Sequence, residues 1–355
     1  MANDEKNISR RKFLQQSAAS LAAVSSAGSL SAYAAEPACP IKDAMPMRTL
    51  GKTGLKVSTL SFGGGSKFLK CEKWEELMER AIALGINFFD TASEYGGAGY
   101  RGSGALGSEE RFGKILPKYR NKVIICTKFS SRDANEAAKE IEKSLKFLKT
   151  DYVDVLMAHG IDSRDDKAVF DNSLYKLLVK QKEQGTARFI GFSSMDSAER
   201  SKRAMLDLDI DVAILAMNPT QYGNYAKVAL PAARRKNVGV VAMKVMRWLV
   251  GVNLTDKKLM DYPPSKKCTA KGTVTAKELL FYDLAQKGVA SCVVGHEKMA
   301  ELEENVRLAR EFEAAKEAGK KVAVDFNELE ERLACCAGPH VLGWARPDYY
   351  DGMDC

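Results

Sequence analysis

The sequence predicts a parallel (β/α)8 barrel on three observations. Eight short apolar runs are rich in Val, Ile and Phe, longer amphipathic stretches separate them, and a glycine often closes the amphipathic stretch. The 355 residues are 45% hydrophobic and 28% charged, enough for one large globular domain or two small ones. The competing architecture, a doubly wound open sheet, needs a glycine-rich phosphate turn after an early strand. "FGGGSK" at Phe62 is not that fingerprint.

Ahead of the repeating pattern stands "NISRRKFLQQSAASLAAVSSAGSLSAYAAEPACP", starting at Asn7. Arg10, Arg11 and Lys12 form a positive region, Leu14 to Leu30 a modest apolar one, and Ala32-Tyr33-Ala34 places small residues where a peptidase cuts. Residues 1–34 therefore read as a cleaved export signal, too short and too polar to stay as a membrane span. Ser9-Arg10-Arg11-Lys12-Phe13-Leu14 resembles the twin-arginine signal, which implies the twin-arginine export machinery as a partner and a periplasmic destination. That route carries folded proteins, so a bound cofactor would travel with the chain.

The strand candidates follow in order: "STLSFGG" at Ser58, "NFFDTA" at Asn87, "KVIICTKF" at Lys122, "YVDVLMAHG" at Tyr152, "ARFIGFSS" at Ala187, "DVAILAMN" at Asp211, "VGVVAMKV" at Val238 and "VASCVVGH" at Val289. Between them, "CEKWEELMERAIALG" and "NEAAKEIEKSLKFL" repeat apolar residues three and four apart, as amphipathic helices do. The barrel spans 47–312, and 313–355 form a C-terminal extension packing on it.

Composition excludes several functions. The net charge is +8; removing residues 1–34 takes away four cations and two anions, leaving about +6 spread along the chain. Nucleic-acid binding needs clustered Lys and Arg with aromatic platforms, and none stand here. A metallohydrolase is disfavoured because the three histidines do not pair at ligand spacing, so no metal is expected. Of eight cysteines, Cys39, Cys268, Cys335, Cys336 and Cys355 fall in expected loops or tails, where some could pair in an oxidising compartment. Cys126 and Cys292 sit in apolar runs and read as inert core thiols.

In such a barrel the chemistry sits where strands end at their C-terminal side. There the second strand supplies Asp90, with Tyr95 just beyond in "DTASEYG"; the third supplies Lys128 and the fourth His159. Each alone has a plain structural explanation, as a turn cap, a loop filler, a surface charge or a core histidine. Together they fit one reaction. A phenol titrating near pH ~10 is a poor acid at neutral pH unless a cation stabilises its phenolate. Lys128 is that cation, Asp90 orients it, and His159 hydrogen-bonds the same substrate oxygen, so Tyr95 donates a proton while a hydride reaches carbon.

The series "LGINFFDTASEYG", "SEERFGKIL", "ICTKF", "DYVDVLMAHGID" and "IGFSS" resembles the aldo-keto reductase superfamily, from "MRTLGKTGLKVSTLSFG" to "ELEENVR". The resemblance implies a nicotinamide-dependent (β/α)8 oxidoreductase interconverting an aldehyde or ketone and its alcohol, with Asp90, Tyr95, Lys128 and His159 as catalytic tetrad. It implies that "MRTLGKTGLKVS" is a hairpin plugging the barrel bottom, and that Gly64, Ser193, Ser194, Asn218, Met243, Lys244, Gly295, Glu304 and Asn305 contact the cofactor. NADP(H) is the family's commoner choice, with NAD(H) the other possibility.

Three departures from the family pattern stand out. Ser193-Ser194 replaces a Ser-Asn pair, "AMKVM" puts Met243 and Lys244 where many relatives stack a tyrosine on nicotinamide, and Glu297 stands where many place a cation for the adenosine 2′-phosphate. An acid there opposes that phosphate. The tail's "ACCAGP" lacks the spacing of an iron–sulfur cluster. Substrate choice falls to the loops beginning at Gly96 and Arg247, with Trp248 and Tyr262, and to the tail from Ala334, with Trp344, Tyr349 and Tyr350. A nicotinamide-binding sensor or accessory barrel with little turnover is the alternative function.

Overall fold

The computed structural model describes residues 45–96, 106–162, 165, 170, 173–246 and 274–334. The expected export signal, the segments 97–105 and 247–273, the tail from Cys335 and the cysteines at 39, 268, 335, 336 and 355 lie outside the described residues.

The chain opens with an antiparallel hairpin of β1 (Met47–Thr49) and β2 (Lys56–Ser58). Eight parallel strands follow and close on themselves: β3 (Leu60–Gly63), β4 (Phe88–Asp90), β5 (Ile124–Phe129), β6 (Val153–Ala158), β7 (Ala187–Ser194), β8 (Val212–Ala216), β9 (Gly239–Met243) and β10 (Val289–Val294), with β10 paired to β3. All eight expected strands are present. They were legible because a strand covered on both faces carries apolar residues at almost every position, and here every residue of β3 to β6 and β8 to β10 is buried.

The described helices are α1 (Ser66–Leu69), α2 (Trp74–Ala83), α3 (Ser108–Ile115), α4 (Ala134–Leu148), α5 (Ser173–Gln184), α6 (Ala198–Asp207), α7 (Tyr225–Lys236), α8 (Ala276–Ala285), α9 (Met299–Glu317) and α10 (Phe326–Leu333). Among the described residues no helix is long and apolar enough to cross a membrane. Local chemistry sets their ends. The Asp133 carboxylate accepts from Asn135 N and Glu136 N to start α4, and Thr275 with Glu278 forms a capping box on α8. Helix α9 runs without a break through residue 312, where the sequence divided barrel from extension; α10 then packs Leu329 and Leu333 against Leu279 and Tyr282 of α8.

The hairpin lies under the N-terminal end of the barrel. Gly51 sits at φ +49°, and a Cβ there would come within 2.3 Å of Gly239 N at the start of β9, so only glycine lets the turn approach this closely. Arg48 donates to Val289 O (2.7 Å) and Leu284 O (2.9 Å), fastening β1 to β10 and α8.

Candidate active site

Four chemical groups meet at the C-terminal rim. Asp90 is the last residue of β4 and Lys128 the fifth of β5; parallel register places Asp90 beside Cys126, so Asp90 and Lys128 point into the barrel on neighbouring strands. Lys128 Nζ lies 2.7 Å from Asp90 Oδ1 and 2.8 Å from Oδ2, and also donates to Thr91 O at 2.8 Å. Its side chain is 1% exposed. Burying an ammonium is costly unless it is paired and hydrogen-bonded, and this one is both. The Tyr95 ring sits with its centroid 5.1 Å from Lys128 Nζ and meets the His159 ring edge-to-face at 5.5 Å.

The rim is built to hold these four. Ser93 N donates to Lys128 O and Thr91 N to Cys126 O, so the strand after Asp90 continues to track β5. Glu140 of α4 accepts from Ser93 Oγ (3.1 Å) and Ser130 N (2.8 Å), tying the loops after β4 and β5 to one carboxylate. Thr91 Oγ1 donates to Ser108 Oγ (2.7 Å) at the start of α3. Arg111 fixes α3 in turn by donating to Phe68 O, Leu69 O and Cys71 O. His159 follows β6, its N–H bonded to Phe129 O, and Gly160 at φ +57° turns the chain immediately after it.

Two contacts were not expected from the sequence. His159 Nδ1 lies 2.6 Å from Glu94 Oε1, a residue that reads in "DTASEYG" as an ordinary loop charge. Cys126, read as an inert core thiol, stands beside Asp90 in the register of β4 and β5. Burial and the Asp90 carboxylate push its thiol far above the ordinary range, so it stays protonated.

The residues expected to hold a cofactor separate into groups. Ser193 Oγ accepts from Gly160 N (2.8 Å), which leaves its hydroxyl hydrogen to donate elsewhere. Its neighbour alternates to the opposite side of β7: Ser194 Oγ meets Tyr225 OH of α7 at 2.9 Å, in the helix layer. Asn218 is buried and its Oδ1 accepts from Thr220 N (3.1 Å), so the end remaining for a ligand is the NH2 donor. Met243 closes β9 and is buried, while Lys244 follows half-buried at φ +62°.

Gly64 serves packing. Its N–H donates to Asp90 O (2.7 Å), and a Cβ would fall 2.2 Å from Ser108 Oγ. Gly295 follows β10, and a Cβ there would meet Lys67 Cβ at 3.4 Å. Asn305 is buried and bonds His296 Nε2 (3.1 Å); Glu304 is exposed on α9. Glu301 Oε2 accepts from Glu297 N (2.9 Å) and Lys298 N (3.3 Å), while Oε1 takes Lys67 Nζ (2.8 Å).

A buried ammonium beside a phenol, with an imidazole against the same ring, is equipment for moving a proton to or from an oxygen held between phenol and imidazole. Known proteins similar to this chain include oxidoreductases. The chain is 29% identical over 300 residues to L-galactose dehydrogenase of Arabidopsis thaliana, covering 76% of this chain and 89% of that one. It is 24% identical over 311 residues to L-glyceraldehyde 3-phosphate reductase of Escherichia coli O157:H7, covering 74% and 87%. The holo structure of an aldo-keto reductase from Bacillus halodurans superposes with a TM-score of 0.60 at 20% identity, covering 87% of this chain and 99% of that one, and so shares the fold. Residues 59–322 match the aldo/keto reductase family, and the chain belongs to that family as an oxidoreductase.

Proposed function

We propose that the chain reduces an aldehyde or ketone to its alcohol, or runs the reverse, with Tyr95 as general acid and base and a nicotinamide dinucleotide as partner. The observation that carries this reading is Lys128, held between Asp90 and Thr91 O with its ammonium 5.1 Å from the Tyr95 ring. A cation there favours phenolate over phenol and so makes Tyr95 a stronger acid. As the carbonyl carbon is reduced, its oxygen gains charge. Tyr95 gives that oxygen a proton, and His159 orients it. Asp90 holds Lys128 in place.

The residues present fit the dinucleotide. A carboxamide oxygen accepts and its NH2 donates; the Asn218 NH2 and the Ser193 hydroxyl hydrogen can serve the oxygen, and the remaining lone pair of Ser193 Oγ can accept from the NH2. When bound, the nicotinamide supplies or takes the hydride. The resemblance favours NADP(H), but Glu297 stands in the loop after β10 where a cation would meet its 2′-phosphate, and two of the loop's amides are already taken by Glu301, itself paired with Lys67. That chemistry disfavours a 2′-phosphate, and NAD(H) is the choice it supports.

Two relatives bear the names of enzymes acting on sugars, so short hydroxyaldehydes are the first substrates to try. Stopped-flow mixing of reduced dinucleotide-loaded protein with a panel of aldoses and aryl aldehydes tests the proposal. Single-turnover loss of nicotinamide absorbance with one of them is expected. No oxidation by any would favour a binding role with little turnover.

The export route belongs to the same proposal and rests on Arg10 and Arg11. Nicotinamide dinucleotides are made in the cytosol, so a periplasmic reductase would need to fold around its cofactor first and keep it. Changing both arginines to lysine should leave the precursor inside. Mature protein recovered outside should hold about one nicotinamide per chain, and empty protein would end the carried-cofactor idea.

A further inference from the structure

We propose that Glu94 is a positioning residue that holds His159 as an imidazolium with Nδ1 protonated, so that the other ring nitrogen meets the substrate oxygen as a second donor beside the Tyr95 hydroxyl. The inference rests on the reductase reading and extends it to a residue outside the tetrad.

The geometry is specific. His159 Nδ1 stands 2.6 Å from Glu94 Oε1, and a ring nitrogen this close to a carboxylate carries a hydrogen. Ser130 Oγ, at 3.5 Å from the same nitrogen, is too distant to compete. The histidine side chain is 1% exposed and that of Glu94 22%, so the pair is shielded from screening on one side and hydrated on the other. Glu94 directly precedes Tyr95, so one short segment carries both the proton donor and the group that charges its neighbour.

The surrounding charges point the same way. On β4 and β5, Asp90 and Lys128 form a neutral pair. Arg132, which donates to Gly160 O just after His159, is paired with Asp165. Glu140 of α4, bonded to Ser93 and Ser130 behind the ring, is a further anion. Lys128 and Asp90 cancel, Arg132 and Asp165 cancel, and Glu94 and Glu140 leave a negative surplus that favours the charged imidazole. An imidazolium can only donate from its second nitrogen, and a carbonyl oxygen gaining negative charge accepts that bond best in the transition state. His159 thereby stabilises the developing alkoxide while Tyr95 transfers the proton.

The chain contains three histidines, so nitrogen-15 NMR of histidine-labelled protein gives three ring systems, and the spectrum of His159→Gln assigns the one that matters. Glu94→Gln keeps an oxygen to accept from Nδ1 but removes the charge. It should lower the His159 titration midpoint by about one pH unit, cut kcat about tenfold with dinucleotide affinity unchanged, and move the alkaline limb of the rate profile to lower pH. Glu94→Asp, the check on folding, should recover part of both effects. An unchanged midpoint in an active enzyme overturns the proposal alone, as does a lowered midpoint with unchanged kcat. A lowered midpoint in a protein that reduces no aldehyde overturns the catalytic half of it together with the reductase reading.

Discussion

At the N-terminal end of the barrel, buried acids receive cations that reach in from the surface. Asp154, 1% exposed, takes Arg120 (2.8 Å) and Arg188 (2.6 Å) together with Ile125 N, and Asp211 takes Lys182 (2.6 Å) and Ile190 N. At the C-terminal rim the cation is itself the buried member: Lys128 is 1% exposed where Arg188 is 41% and Lys182 36%. The lower acids bond backbone N–H groups of β5 and β7, so their charge holds strands in register. The upper pair bonds the Thr91 carbonyl and faces a phenol. A buried cation that bonds no strand N–H is costly to the fold, and a proton-transfer site at the upper end would account for it.

Removing the upper cation breaks this contrast most strongly. Lys128→Met should lower kcat by two to three orders of magnitude, since the phenol loses its stabilising cation, and should shift the rate profile to higher pH. It also strands Asp90, at about 3–5 kcal/mol of stability by denaturant titration. Adding Asp90→Asn should restore much of that stability and none of the rate.

The lower end should behave the other way round. Arg48→Met abandons two backbone carbonyls and the partner carboxylate Glu313, and should cost about 2–4 kcal/mol in urea unfolding while leaving kcat unchanged within about twofold. A large loss of kcat would mean that the hairpin and the rim are coupled.

His296 sharpens the comparison through pH. It is fully buried on the loop after β10, and burial lowers its pKa from the ordinary 6.5 to about 4. The unfolded chain binds the proton more tightly, so this contribution is fully present above pH 6.5 and is lost as pH falls from there to about 4. The loss is on the order of 3 kcal/mol at most. His296→Gln should flatten the fall in stability over that window, and an unchanged slope would assign acid sensitivity to other groups.

How much of this was legible in the sequence follows from the physics of each element. Both-face burial made the eight strands continuous apolar words, and the rule that barrel chemistry sits at strand ends led to Asp90, Tyr95, Lys128 and His159. The structure brings those four together. Ser194 was paired with Ser193 from the family's Ser-Asn pair, but alternate strand residues face opposite ways, and its hydroxyl goes to Tyr225. Gly64 was expected at the cofactor from the resemblance; the close approach that requires glycine there is to Asp90 and Ser108. Glu94 and Glu140 carry no sequence signal, because a loop carboxylate that meets an imidazole and a helix carboxylate that accepts from Ser130 N both look like any solvated acid.

The central claim is that Tyr95 moves the proton at a site whose cofactor pocket is built by other residues. Tyr95→Phe deletes one hydroxyl and keeps the ring that packs on His159. With an aldehyde that turns over in the wild type, single-turnover hydride transfer should fall by about two orders of magnitude or more, while the dinucleotide dissociation constant read by fluorescence changes less than about threefold. Equal loss of dinucleotide binding, or hydride transfer at the wild-type rate, would contradict the account.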